Sequence, residues 1–222
     1  MPPAYWSRLW EKQLSNYIYL ALVKGSVALI KPSFKSITII ILSVLLFDCI
    51  GNSYKKMSIE NPEKLLSIQD SLILAHGNDE GVLSALAIAN NNVAEKFMDR
   101  GDYNMAANHF SKALMLNETR TESKYGLLLA EGRALVKKGN KNGIWDAIEK
   151  YSKASSFYPN SGEPFYLTAI AYTKLGDTDF DLILESYEKS ISLELSDKLR
   201  AEVLKKYEHA KKRKIKLDSF WK

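Results

Sequence analysis

The 222-residue sequence holds one cysteine, three histidines, six prolines and eleven glycines. One cysteine excludes an intramolecular disulfide and a thiolate metal cluster. His76, His109 and His209 fall at no metal-ligand spacing and have no carboxylate–histidine motif beside them. Few glycines and prolines exclude long flexible tracts. No glycine-rich phosphate loop, nucleophile elbow or zinc motif is present, so the residues give no enzyme and no cofactor a place to start. The alternating Asp177, Asp179 and Asp181, with Glu188, have a calcium-loop spacing. Leu182 takes the slot that needs Gly, however, so a solvated acidic loop is expected and no metal.

A one-sided charge is also missing. The net charge of +5 is a balance of unlike segments. Residues 1–58 carry seven basic and two acidic side chains, residues 59–195 fourteen and twenty, and residues 196–222 ten and four. The basic character belongs to the ends, so it does not point to nucleic acid as the partner of the body. The run Lys211, Lys212, Arg213, Lys214 could meet anionic lipid or nucleic acid, but cations also suit the end of a solvated helix.

What is present begins with an apolar run at residues 37–47, broken only by Thr38 and Ser43. It is short for a spanning helix, which needs about 20 residues, and suits the core of a secretory signal. Lys31 and Lys35 precede it; Asp48, Cys49 and then Gly51, Asn52 and Ser53 follow. This arrangement resembles a bacterial lipoprotein signal peptide, in which the Cys becomes the lipidated first residue. Leu46 matches that pattern and Asp48 departs from it. The alternative is an uncleaved anchor, to which the apolar residues 17–30 could add a second membrane-associated helix. Arg8, Lys12, Lys24, Lys31 and Lys35 would keep the N-terminus cytoplasmic. Either reading places the chain from about residue 50 onward on the extracytoplasmic or periplasmic side, membrane-anchored.

Further on, one spacing recurs three times. In residues 87–120, Ala94 and Phe97 precede Gly101, Ala106, Phe110 and Ala113. Gly132, Leu135, Gly139, Ala147, Tyr151 and Ala154 repeat it in residues 125–161, followed by Pro159. Ala169, Tyr172, Gly176, Ile183, Tyr187 and Ser190 repeat it in residues 162–195. Small and aromatic residues at i, i+4 and i+7 share one helix face, and stacked helix pairs bury what one pair cannot. The pattern resembles the tetratricopeptide-repeat (TPR) family. Its Trp slot holds Asn90, Leu128 and Phe165, and the loops near residues 140–143 and 178–180 are lengthened.

The resemblance implies an all-α, right-handed superhelical solenoid of helix pairs with capping helices, behind a membrane-associated N-terminal helix. The expected organisation is an anchor over 1–49, a linker over 50–60, and a capping helix over 61–79. Three repeats over 80–195 and a basic capping helix over 196–222 follow. Asn61 and Pro62 should start a helix that runs to His76, and Ser196 should start one that runs to about Lys216.

The resemblance also implies a non-enzymatic scaffold that binds a protein or peptide in its concave groove, here in cell-envelope assembly. Carried over, the lining positions are Asn91, Glu95 and Asp99; Leu129, Arg133 and Lys137; and Tyr166, Ile170 and Lys174. The cations Arg133, Lys137 and Lys174 beside Tyr166 would receive an acidic or C-terminal peptide.

Fractionation separates the two readings of the N-terminus. A lipoprotein incorporates labelled palmitate and loses the label in Cys49→Ser, whereas an uncleaved anchor stays in the membrane fraction unlabelled. Recovery in the soluble fraction contradicts both.

Overall fold

The computed structural model describes residues 53–176 and 180–220, all within the unit Asp48–Lys222. Among them the secondary structure is helical throughout, apart from one isolated bridge between Ser161 and Glu194. A helical stretch over residues 53–60 leads into α1 (Pro62–Ser67), α2 (Gln69–His76), α3 (Glu80–Asp99), α4 (Tyr103–Leu116) and α5 (Thr121–Lys138). Then come α6 (Lys141–Ser155), α7 (Glu163–Leu175), α8 (Phe180–Ile191) and α9 (Asp197–Phe220). No described helix is long and apolar enough to cross a membrane. The expected anchor over 1–49, with Cys49, lies outside the described residues, as do Asp177 and Asp179 of the acidic loop.

Short polar residues set the helix boundaries. The Asp79 carboxylate accepts from the Gly81 and Val82 amides at the start of α3, Asp102 from Met105 at α4, and Asn140 from Gly143 at α6. Each satisfies amides that the first turn leaves without partners. Gly139 ends α5 in the left-handed region at φ 77°, where a side chain would be strained. The Ser196 hydroxyl accepts from the Leu199 amide and caps α9.

Three local expectations need correction. Residues 53–60 are helical rather than a linker, because Ser58 is buried and Tyr54 and Met57 pack on the cluster of Leu65, Leu72, Val82 and Leu86. The helix expected from Asn61 to His76 is two pieces that meet at Ile68. Asn61 offers no side-chain cap, and the turn at Ile68 sets Gln69 against Asn90 of α3. Helix α9 runs on to Phe220, past the expected end near Lys216.

The packing is one-dimensional: each helix from α3 to α9 lies against the next, and α5 also touches α3 and α7. Phe110 of α4 and Tyr151 of α6 are buried, with Ala106, Ala113, Ala147 and Ala154 beside them. The two rings are received by glycines of α5. A Cβ on Gly126 would stand 2.4 Å from the Phe110 ring, and one on Gly132 would stand 2.4 Å from Tyr151. So the small-and-large alternation of the sequence is a set of ring-on-backbone contacts centred on α5.

These contacts set a steric test. Gly→Ala in a helix gains up to about 1 kcal/mol of helix propensity, but overpacking a filled core costs about 1–3 kcal/mol. At 2.4 Å from a buried ring the steric cost wins. Gly126→Ala and Gly132→Ala should each lower the unfolding free energy by about 1–3 kcal/mol in a urea titration. Adding Phe110→Leu to Gly126→Ala should recover part of that loss.

Candidate peptide-binding cleft

The face shared by α5 and α7 carries Arg133, Lys137 and Tyr166, three of the polar side chains named by the repeat register, together with Ile170. Arg133 and Lys137 stand one turn apart on α5, and Tyr166 and Ile170 one turn apart on α7, so each pair projects from one side of its helix. All four line a single cleft of about 430 Å³ with Arg100, Tyr103, Tyr151, Leu199, Glu202 and Lys206 among its other walls. The ends of α3 and α4, the outer turns of α5 and α7, and the first turns of α9 together enclose it.

The charges inside are largely engaged. Arg133 Nη2 donates to Glu163 Oε1 at 2.6 Å, and its guanidinium lies 5.8 Å from the Tyr103 ring centroid. Burial works against its charge, but Glu163 and Tyr103 outweigh it, so the guanidinium is held above its usual pKa. Its Nε is buried with no hydrogen-bond partner. Lys137 Nζ sits 5.7 Å from the same Tyr103 centroid and donates to the Gly101 carbonyl at 3.0 Å. The Tyr166 hydroxyl donates to Glu202 Oε1 at 2.6 Å. Burial, then Glu202, pushes its pKa well up, so the phenol stays a donor at any physiological pH.

Glu163 is the hinge to a second cleft of about 640 Å³, lined by Glu95, Glu122, Tyr125, Phe157, Tyr158, Ser161 and Glu194 among others. Its floor is held by loop contacts. Glu194 N donates to the Asn160 carbonyl at 2.8 Å, and Gly162 N donates to the Glu194 carbonyl at 2.9 Å. The Tyr125 hydroxyl meets Ser161 Oγ at 3.0 Å, and the Tyr125 and Tyr158 rings meet edge-on at 4.9 Å. One side of the Arg133–Glu163 bridge is therefore basic and the other acidic, and tyrosines line both.

Of the positions named from sequence, Arg133, Lys137, Tyr166 and Ile170 come together, and Glu95 joins the neighbouring acidic cleft. Asn91 lines neither: it is buried, and its Oδ1 accepts from Ser123 Oγ at 2.9 Å. Leu129 is buried in the core. Lys174 and Asp99 are exposed and line neither cleft. The basic trio is therefore a pair, and Arg133 already has a carboxylate. Glu163, Glu194, Glu202 and Lys206 were not named. Continuing the repeat register into α9, with its spacing of four residues, would have found Glu202 and Lys206 but not Leu199.

Hydrogen-bond donors, acceptors and aromatic rings make up both clefts, and among the described residues no three His, Cys, Asp or Glu are grouped to hold a metal. No protein-family model matches the chain, and no curated protein does. Among solved structures, a MamA RS-1 ArsTM double mutant is similar at 20% identity, covering 76% of this chain and 94% of that one, with a TM-score of 0.41. A crystal structure of MamA is similar at 21% identity, covering 68% and 87%, with a TM-score of 0.37.

Glu95 supplies a pH test. Its side chain is exposed and lies in the acidic cleft with Glu163. Burial first, then Glu163 and Asp99, hold its pKa above the ordinary carboxylate value, while Arg133 opposes them. An acid whose pKa is raised on folding binds more protons in the native state, so stability falls as pH rises through that range. Glu95→Gln should therefore raise the melting temperature at neutral pH. The gain should vanish below about pH 4, where the unfolded-state carboxyl is protonated as well.

Proposed function

We propose that this protein is a non-enzymatic scaffold of the tetratricopeptide-repeat type that binds a segment of another protein along its concave face. The observation that carries the reading is the cleft built from two successive repeats. Arg133 and Lys137 of one helix and Tyr166 and Ile170 of the next share one wall system. Tyrosines supply contact area at small cost in side-chain entropy, and exposed cations add charge-assisted bonds to a carboxylate. Lys137, Arg100 and Lys206 are the cations a partner carboxylate would meet, because Arg133 is bridged to Glu163. The acidic cleft beyond that bridge favours a basic residue further along the same segment. The partner is thus a peptide of mixed charge, read in one direction.

The apolar run at residues 37–47 and Cys49 support a membrane-anchored protein, with the repeats on the periplasmic or extracytoplasmic side. In that setting a repeat scaffold serves assembly of the cell envelope.

Crosslinking in membranes, followed by identification of the captured protein, tests the reading. Arg100→Glu with Lys137→Glu alters two exposed cations and leaves the Arg133–Glu163 bridge intact. The double variant should retain its helical circular dichroism and capture the partner at least about tenfold less, as expected for two lost charge-assisted contacts. Undiminished capture of every partner removes the cleft from the function.

A further inference from the structure

Helix α9 presents two unlike faces. One is held on the stack: Val203 and Ala210 are buried, and Leu199 and Tyr207 pack beside them. Arg200 donates to the Ile191 and Leu193 carbonyls at 3.0 and 2.9 Å, Tyr207 to Glu188, and Lys214 pairs with Asp181. These contacts fix how the helix is rotated about its own axis.

The opposite face follows from that rotation. At 100° per residue, Lys198, Lys205, His209, Lys212 and Lys216 fall within one narrow stripe. All five are exposed. Their spacings of seven, four, three and four residues make a straight row about 27 Å long at 1.5 Å per residue. No carboxylate falls inside the stripe, although Glu202 and Glu208 flank it about 20° and 40° outside its edges, and none of its five side chains has an ion-pair partner among the described residues. Large apolar side chains lie on the same outward half of the helix: Leu204 and Ile215, about 60–80° round from Lys212 and past Glu208, and Phe220 near the end are 43, 67 and 78% exposed.

We propose that this face of α9 docks on an anionic lipid bilayer, a site beyond the peptide cleft and independent of the N-terminal anchor. A straight row of lysines matches a plane of phosphate headgroups, and negative lipid attracts such a row over about a Debye length. The exposed apolar side chains decide between a bilayer and a nucleic acid. Leu204, Ile215 and Phe220 would enter the boundary between headgroups and acyl chains, whereas a phosphate backbone would leave them in water. The acidic body, with fourteen basic and twenty acidic residues over 59–195, adds no competing attraction to the same surface, so α9 determines which side faces the lipid.

The test uses the full chain carrying Cys49→Ser and Ile215→Cys, labelled at residue 215 with an environment-sensitive dye. Vesicles of phosphatidylcholine with phosphatidylglycerol should shift the emission to the blue, and phosphatidylcholine alone should not. Lys205→Glu with Lys212→Glu and Lys216→Glu should abolish the shift, since each lysine contributes roughly fivefold to binding and three contribute on the order of 100-fold. Overturning results are no shift on anionic vesicles, a shift that survives the triple substitution, or an equal shift with duplex DNA. Flotation of the same samples with pure phosphatidylcholine reports the N-terminal anchor separately. Failure of the anchor therefore cannot be mistaken for failure of the α9 face.

Discussion

The seating of two aromatic rings on the backbone of one helix sets the geometry of the stack. Phe110 and Tyr151 approach α5 at Gly126 and Gly132, where any Cβ would collide. Those contacts fix how close α4 and α6 lie to α5, and close packing transmits that spacing onward. Arg133 follows Gly132 directly in the chain. The rotation that turns Gly132 towards Tyr151 turns Arg133 towards Glu163 and Tyr103. The cleft is therefore a by-product of a core contact, and its polar groups inherit their positions from two residues without side chains.

A second constraint is polar. Asn90, Asn91 and Asn92 stand in a row on α3, and each ties that helix to different neighbours. Asn90 is buried yet fully engaged: its amide donates to Gln69 and to the Leu86 carbonyl, and its oxygen meets His109 Nδ1 at 3.0 Å. Asn91 reaches Ser123 of α5, and Asn92 donates to the Ser58 carbonyl of the leading helix at 2.9 Å. A buried amide without partners would cost several kcal/mol, roughly 2–7 by transfer measurements, so these bonds admit one register of the surrounding helices and penalise others. They explain how Asn occupies a slot where the repeat pattern has Trp. Burial of His109, with Lys112 nearby, lowers its pKa, which keeps the ring neutral against Phe97 and Asn90.

Charge is sorted by surface. The Arg133–Glu163 bridge separates a basic cleft from an acidic one, and the row of lysines on α9 faces away from the contacts that hold that helix. Glu202 and Lys206 of α9 line the cleft, and the row that holds Lys205 and Lys212 lies about 60–120° further round the same helix. A repeat stack permits this division because each helix packs on neighbours along one axis and leaves the remaining directions exposed.

The helical class, the recurring small-and-aromatic spacing, and the sharing of a helix side by Arg133 with Lys137 and by Tyr166 with Ile170 were legible in the residues. Helix periodicity is a local property: residues three and four apart share a face whatever lies opposite. The cap at Ser196 was legible for the same reason. Other features depend on groups distant in the chain. Asn91 reads as a lining position by register, yet Ser123, thirty-two residues away, draws it into the core. Glu163 neutralises Arg133 from another helix. Ile68 breaks a helix that local signals would continue, with Gln69 meeting Asn90 beyond the break. Sequence by itself determined which residues could share a helix face; tertiary packing decided which faces met, because burial and pairing are properties of what lies across the interface.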